Sequence, residues 1–352
     1  MPSPPLPTSS SAPRSACRRR TRGRPAGRRP PVGGGRRARR GAGGGHGAPG
    51  RGAGGGARPE EWGAFLLVGH GVPARAAAGV EEQVARLFAL PAPDKARAGR
   101  RPGEASGYGY PAALHLPKHV VRGVHVPRGR LARRVPPRLA RRRRRVPPLL
   151  RRDGGAHHRE MRALGGRLLD VFFAALGLTA NQIAAGETEW KIRETLMATM
   201  HLNLYPRCPE PERAMGLAAH TDSGFFTFIT QSPVPGLQLL RRGPDWWVTV
   251  PPPPGALVVV LGDLFQLLTN GRLRSAFHRA VVKRERDRIS VPYFLGPPLA
   301  SAVPPGRKAA FRAVTWPEYM GVREKAHRTD ASALAMLRVA DEGEESGMPH
   351  KN

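Results

Sequence analysis

The stretch GLAAHTDSGFFTFI, residues 216–229, decides how this chain is read, because it sets His220 and Asp222 two positions apart in an apolar run punctuated by Gly and Ser. In an extended strand, residues i and i+2 point to the same face, so the spacing presents an imidazole and a carboxylate side by side. Those are two ligands of a metal site. A His-x-Asp pair alone is most often surface or packing chemistry, and His70, His157, His158, His201 and His327 show how many histidines the chain offers for coincidence. The metal reading therefore needs further groups at matching spacing.

His278, in the strand-like SAFHRAVV, supplies a third ligand 58 residues beyond His220. Two histidines and a carboxylate on one face of an octahedral ion leave three positions open, the facial arrangement of non-haem Fe(II) oxygenases; zinc takes the same ligand types and stays open as the competing ion. DRISVPYF puts Arg288 and Ser290 two apart, and HLNLYP does the same for Asn203 and Tyr205. The planar fork of Arg suits a carboxylate better than Lys does. Three such pairs in β-like segments are expected to converge on one cavity that takes a metal and a carboxylate ligand. Tyr205 as an ordinary core tyrosine is the competing reading. Trp246 and Trp247 read as packing or turn residues, Cys208 as buried and inert, and Asp263 as a turn residue after a buried strand.

Outward from this centre, MATMHLNLY, FFTFITQ, GLQLL, WWVTV, ALVVVLG and RISVPYFLG are short runs rich in Thr, Val, Ile, Phe and Leu, broken by Pro and Gly. Their texture predicts an all-β sandwich or barrel. Before them, Trp62 to Val68 reads as a strand closed by a Gly-rich turn at Gly69 to Pro73, and Val80, Val84, Leu87 and Phe88 recur at helical intervals. A second helix is predicted over 159–178 with Gly177 as its C-cap. The segment 316–340 returns to a helical pattern. The fold expected is mainly β with flanking helices.

The net charge of +32 would suggest nucleic acid, but it is concentrated. Residues 1–59 hold 14 Arg and no Asp, Glu or Lys; residues 115–152 hold 13 Arg, one Lys and no acid, so the two blocks carry 28 of the 32 charges. Neither contains Phe, Tyr or Trp, which leaves little apolar surface to offset the entropy of folding and no base-stacking platform. Both are expected to be poorly ordered, and nucleic acid is not an expected partner. A transit peptide, a solvated tail and GC-rich coding sequence translated out of frame are competing origins; the last accounts for both blocks with one cause. Cys17 and Cys208 are far apart, so a reducing compartment is expected, with the cytoplasm as the default and plastid targeting the alternative. The longest apolar run, ALVVVLG, is too short to span a bilayer, so no membrane association is expected.

NLYPRCPEP, HTD, GDLFQLLTNGRLRSAFHRAVV and DRISVPYFLGPP together resemble the plant 2-oxoglutarate- and Fe(II)-dependent dioxygenases, in order, spacing and flanking text. WGAFLLVGHGVP resembles that family's N-terminal region, and AAHTDSGFFTFITQSPVPGLQLLRRGPDWWVTVP is most similar to the gibberellin 3-beta-dioxygenase group of grasses. The resemblance implies a double-stranded β-helix (jelly-roll) core. It also implies Fe(II) held by His220, Asp222 and His278, and 2-oxoglutarate bound by Arg288 and Ser290 with Tyr205 assisting and Asn203 orienting the site. O2 is the second cosubstrate and ascorbate a supporting reductant. The implied reaction couples decarboxylation of 2-oxoglutarate to hydroxylation of a gibberellin at C-3, and a monomer is expected.

The expected organisation is a basic segment 1–59, a partial N-terminal region 60–114, an anomalous basic insert 115–157, a helix plus jelly-roll domain 158–340, and a tail 341–352. Because the two blocks replace text that the family uses for its domain and substrate-facing surface, weak or absent turnover is expected of this chain. A related 2-oxoglutarate oxygenase that acts at another position of gibberellin or on another plant metabolite, and a nonenzymatic basic paralogue, are the other readings.

Overall fold

A computed structural model of the chain describes residues 59–96, 99, 107–109, 122–128, 148–177, 179, 193–241, 246–251, 254–298, 310–328 and 332–339. The basic segment before residue 59 and the tail after 339 lie outside the described residues. The strands are β1 Ala64–Leu67, β2 Gly107–Gly109, β3 Arg122–Arg128, β4 Met197–Tyr205, β5 Met215–His220, β6 Phe226–Gln231, β7 Leu237–Arg241, β8 Trp246–Thr249, β9 Leu257–Leu261, β10 His278–Val281 and β11 Arg288–Gly296. The helices are α1 Pro59–Trp62, α2 Ala74–Ala89, α3 Ala92–Ala96, α4 Pro148–Leu176, α5 Asp263–Leu268 and α6 Trp316–Arg328.

Two antiparallel sheets result, a larger one in the order β1-β9-β6-β11-β4-β3-β2 and a smaller one in the order β5-β10-β7-β8. From β4 onward the chain passes back and forth between them, and this places β4, β6, β9 and β11 in one sheet and β5, β7, β8 and β10 in the other. Strands of the larger sheet serve two faces. Phe226 and Phe228 of β6 join the core formed with Val80 and Val84 of α2 and Met161, Leu164 and Leu169 of α4. Ile229 of the same strand packs instead with Leu237 and Leu239 of the smaller sheet. Period-2 alternation thus produces a helix layer, a central sheet and a second sheet from one set of strands. Such double-sided burial explains why every residue of FTFIT and LVVVL is buried and why LVVVL is apolar throughout.

MATMHLNLY and RISVPYFLG correspond to β4 and β11, whose pairing runs from Arg288 opposite Tyr205 to Gly296 opposite Met197. Gly177, at φ +64°, closes α4. The structure differs from expectation in the block 115–157. Residues 122–128 form β3, paired along β4 from Leu204 to Ala198, and α4 begins at Pro148 and runs through the expected boundary at 157/158. Backbone pairing to an adjacent strand needs no aromatic side chains, so an aromatic-poor composition does not forbid a strand there. His157, inside the same block, is fully buried and hydrogen-bonds the Thr230 hydroxyl at 3.2 Å. The rest of that block lies outside the described residues. At the other end, α6 stops at Arg328 and the chain continues as a short 3₁₀ turn, Ala335–Leu337, with Arg338 bridged to Phe311.

Candidate metal centre and carboxylate site

The smaller sheet brings the two histidines together by register. His278, the first residue of β10, lies directly opposite His220, the last residue of β5. Asp222 lies two residues beyond the end of β5, so a turn rather than continued strand alternation delivers its carboxylate. One ligand atom from each of His220, Asp222 and His278 lies within 4.8 Å of the others, the group among the described residues that could hold a metal ion. His220 Nε2 is 3.6 Å and His278 Nε2 3.9 Å from Asp222 Oδ1. With metal–ligand bonds of about 2.1 Å, one ion can bridge such separations.

The imidazoles are fixed by backbone carbonyls. His220 Nδ1 donates to Ala218 O at 2.7 Å and His278 Nδ1 to Ala276 O at 3.1 Å. A carbonyl only accepts, so each Nδ1 carries the proton and each Nε2 keeps the lone pair that a metal needs. On the carboxylate, Oδ2 accepts from the Thr227 hydroxyl at 2.6 Å, which leaves Oδ1 facing the two rings. Burial, followed by the neighbouring His220, holds the His278 pKa down to about 4, so this ring is neutral at physiological pH. Burial alone would push the Asp222 carboxyl up, but His278, His220 and the Thr227 hydrogen bond outweigh it and hold the group well below the usual carboxylate range.

A second polar cluster lies on the face of the larger sheet that turns toward the smaller one. Arg288 pairs with Tyr205 and Ser290 with Asn203 across β11 and β4, so all four side chains project to one side. All four are buried. The Arg288 guanidinium stands over the Tyr205 ring with Cζ 4.9 Å from the centroid, and its Nη2 donates to Gln231 Oε1 at 2.6 Å. Its Nε and Nη1 are buried without a hydrogen-bond partner among the described residues. A Cβ at Gly236 would sit 2.7 Å from Arg288 Cδ, so glycine there is what lets the smaller sheet close over this side chain. A buried guanidinium with orphaned donors is costly unless a ligand completes it, and a planar carboxylate is the group whose geometry matches.

The comparisons with known proteins agree with this donor set. The description "2OG-Fe(II) oxygenase superfamily" fits residues 195–297, and "non-haem dioxygenase in morphine synthesis N-terminal" fits residues 59–122. Gibberellin 3-beta-dioxygenase 1 of Oryza sativa subsp. japonica is 58% identical over 303 residues, covering 80% of this chain and 76% of the relative. The chain belongs to the 2OG-Fe(II) oxygenase superfamily. Gibberellin 3-beta-dioxygenase 2-1 of Triticum aestivum is 53% identical over 296 residues, covering 81% of this chain and 79% of the relative. Among solved structures, the rice dioxygenase for auxin oxidation superposes with a TM-score of 0.65 at 27% identity, covering 80% of this chain and 91% of its own. JOX2, crystallised with 2OG, Fe and JA, gives 0.62 at 25%, covering 74% and 77%.

As a 2OG-Fe(II) oxygenase the chain is a dioxygenase with a jelly-roll core, and its cofactors are Fe(II) and 2-oxoglutarate. The residues present fit both: a His-Asp-His set with free Nε2 and Oδ1 atoms for the metal, and the orphaned Arg288 donors for a carboxylate. The family match reaches residue 122, beyond the 60–114 expected from the sequence. Of the other expected residues, Cys208 is buried with a free thiol, and Asp263 is buried at the start of α5, outside the metal group. Trp246 and Trp247 lie in β8 rather than a turn, stacked under Arg241 at 4.9 Å and Arg279 at 4.1 Å. Sequence reading missed Thr227, Gln231 and the Ala218 and Ala276 carbonyls. Only Thr227 carries a local signal, being a hydroxyl between two phenylalanines five residues after Asp222.

Proposed function

We propose that this chain hydroxylates gibberellins at C-3 on the β face, consuming O2 and 2-oxoglutarate and releasing succinate and CO2. Identity of 58% to a rice gibberellin 3-beta-dioxygenase, across both matched regions, carries the choice of substrate. In this reading His220, Asp222 and His278 hold Fe(II), which supplies the oxidising chemistry when bound. Arg288 and Ser290 take the distal carboxylate of 2-oxoglutarate, Tyr205 stacks beneath the guanidinium, and Asn203 orients the pair from the adjacent strand. The Ala218 and Ala276 carbonyls keep protons on Nδ1 so that both rings stay ligating. Burial between two sheets keeps bulk water from the reacting C–H bond. We place the enzyme in a reducing compartment, with the cytoplasm as the default, because its two cysteines lie far apart with no disulfide framework, and we take it to act as a monomer.

The test is turnover of a panel of 3-deoxygibberellins by the purified full chain with Fe(II), 2-oxoglutarate and ascorbate, read by mass spectrometry. The expected product gains one oxygen at C-3 with one succinate formed. Turnover of another plant metabolite but of no gibberellin would overturn the substrate assignment.

A further inference from the structure

The turn that carries the metal-site carboxylate is fastened from outside by α6. This helix starts where it does because Thr315 and Glu318 form a capping box: Glu318 Oε2 accepts from the Thr315 backbone N–H at 2.7 Å and from its hydroxyl at 2.9 Å. That start places Tyr319 and Arg323 one helical turn apart on a single face. Arg323 Nη2 donates to Thr221 O at 2.8 Å and Nη1 to Ser223 Oγ at 2.7 Å, so one guanidinium grips the residues on both sides of Asp222. Tyr319 is fully buried and donates its hydroxyl to Asp263 Oδ2, the same oxygen that accepts from Thr221 Oγ1 at 2.9 Å.

The opposite side of the turn rests on backbone. Asp263 N donates to Asp222 O at 2.8 Å and Leu264 N to Ser223 O at 3.2 Å. The approach is too close for side chains at two positions: a Cβ at Gly224 would be 2.3 Å from Leu295 O, and one at Gly262 would be 2.3 Å from Gly224 O. Every residue from Thr221 to Gly224 is therefore held by α6, by the start of α5, or by β11. None of these contacts uses the three atoms that face the metal site.

We infer that Tyr319 and Arg323, acting through Thr221, Ser223 and Asp263, are positioning residues that set the angle at which Asp222 is presented to the metal. The inference rests on the proposed role of the His220, Asp222 and His278 group, and it assigns α6 a part in metal affinity although no α6 side chain is a ligand. Partners that orient a ligand commonly change metal affinity by about 10- to 100-fold when removed. Loss of the Tyr319 hydroxyl leaves Asp263 Oδ2 to Thr221 alone, and loss of the Arg323 fork frees both flanks of Asp222 at once.

The experiment is titration of the full-length protein with Co(II), followed by its visible d–d absorption, for the native chain and for Tyr319→Phe, Arg323→Met, Arg323→Lys and His278→Ala. Tyr319→Phe is expected to weaken Co(II) binding about tenfold and Arg323→Met by more, with Arg323→Lys recovering part of the loss. The intensity of the bound Co(II) spectrum should change with the coordination angle, which a merely stabilising contact would not alter. Thr221→Val repeats the test should Tyr319→Phe fail to fold. Native affinity and an unchanged spectrum in Tyr319→Phe and Arg323→Met would overturn the positioning role. Co(II) binding that survives in His278→Ala would overturn the underlying metal assignment instead.

Discussion

The His-Asp-His cluster and the Arg288 cluster differ in how far the protein completes them. In the first, each Nδ1 has a carbonyl, Asp222 Oδ2 has a hydroxyl, and only the three converging atoms remain. In the second, Gln231 and the Tyr205 ring occupy part of Arg288, yet two buried donors have no partner among the described residues. The His-Asp-His cluster is thus pre-arranged by its own scaffold, whereas the Arg288 cluster carries a desolvated charge that an anion would relieve. A ligand should stabilise the second cluster more than its scaffold does.

The sharpest break in this comparison comes from Asp222→Ala or His278→Ala. Either should abolish metal binding and turnover while leaving 2-oxoglutarate able to meet Arg288, which equilibrium dialysis with each ligand alone measures. Next in size, Arg288→Met should weaken 2-oxoglutarate binding by about 30-fold or more, the low end of the 2–5 kcal/mol typical of removing one partner from a buried charge pair. The same variant should keep or raise the thermal midpoint of the ligand-free protein, because an apolar side chain replaces an incompletely paired buried charge. A fall in that midpoint would mean that Arg288 is structural rather than ligand-directed. Thr227→Val removes the donor to Asp222 Oδ2 and should cost about tenfold in metal affinity with little change in 2-oxoglutarate affinity. Smallest of all, Glu82→Ala breaks an exposed ion pair with Arg86 on α2 and should change stability by no more than about 0.5 kcal/mol and turnover not at all.

Much of this arrangement is legible in the amino-acid sequence. β4 and β11 are marked by alternation and by a Pro directly after each C-terminal end, and the polar pairs 203/205 and 288/290 follow from period 2. His220 and Asp222 are recognisable as a pair, although for a different physical reason: the strand stops at His220, and the turn packed on Gly262 and Leu295 brings Asp222 round. Groups 56 to 102 residues away in sequence from their partners are not legible in this way. Gln231 reaches Arg288 from a neighbouring strand, Arg323 reaches the 221–223 turn from a distant helix, and Tyr319 of that helix reaches Asp263, because sheet register and helix docking decide those meetings. Composition also hides β3 and the first turns of α4 within the Arg-rich block. It weighs apolar side chains, and it is blind to a sheet edge that offers hydrogen bonds to any backbone.

The most direct measurement is anaerobic titration of Fe(II) and 2-oxoglutarate into the native full-length chain, following the charge-transfer absorption that forms only when an α-keto acid chelates Fe(II). The account predicts a band in the native protein, none in Asp222→Ala, and a band in Arg288→Met that needs about 30-fold more 2-oxoglutarate or higher. A native chain that gives no band, or an Asp222→Ala variant that keeps it, would contradict the claim that these two clusters hold the metal and its cosubstrate.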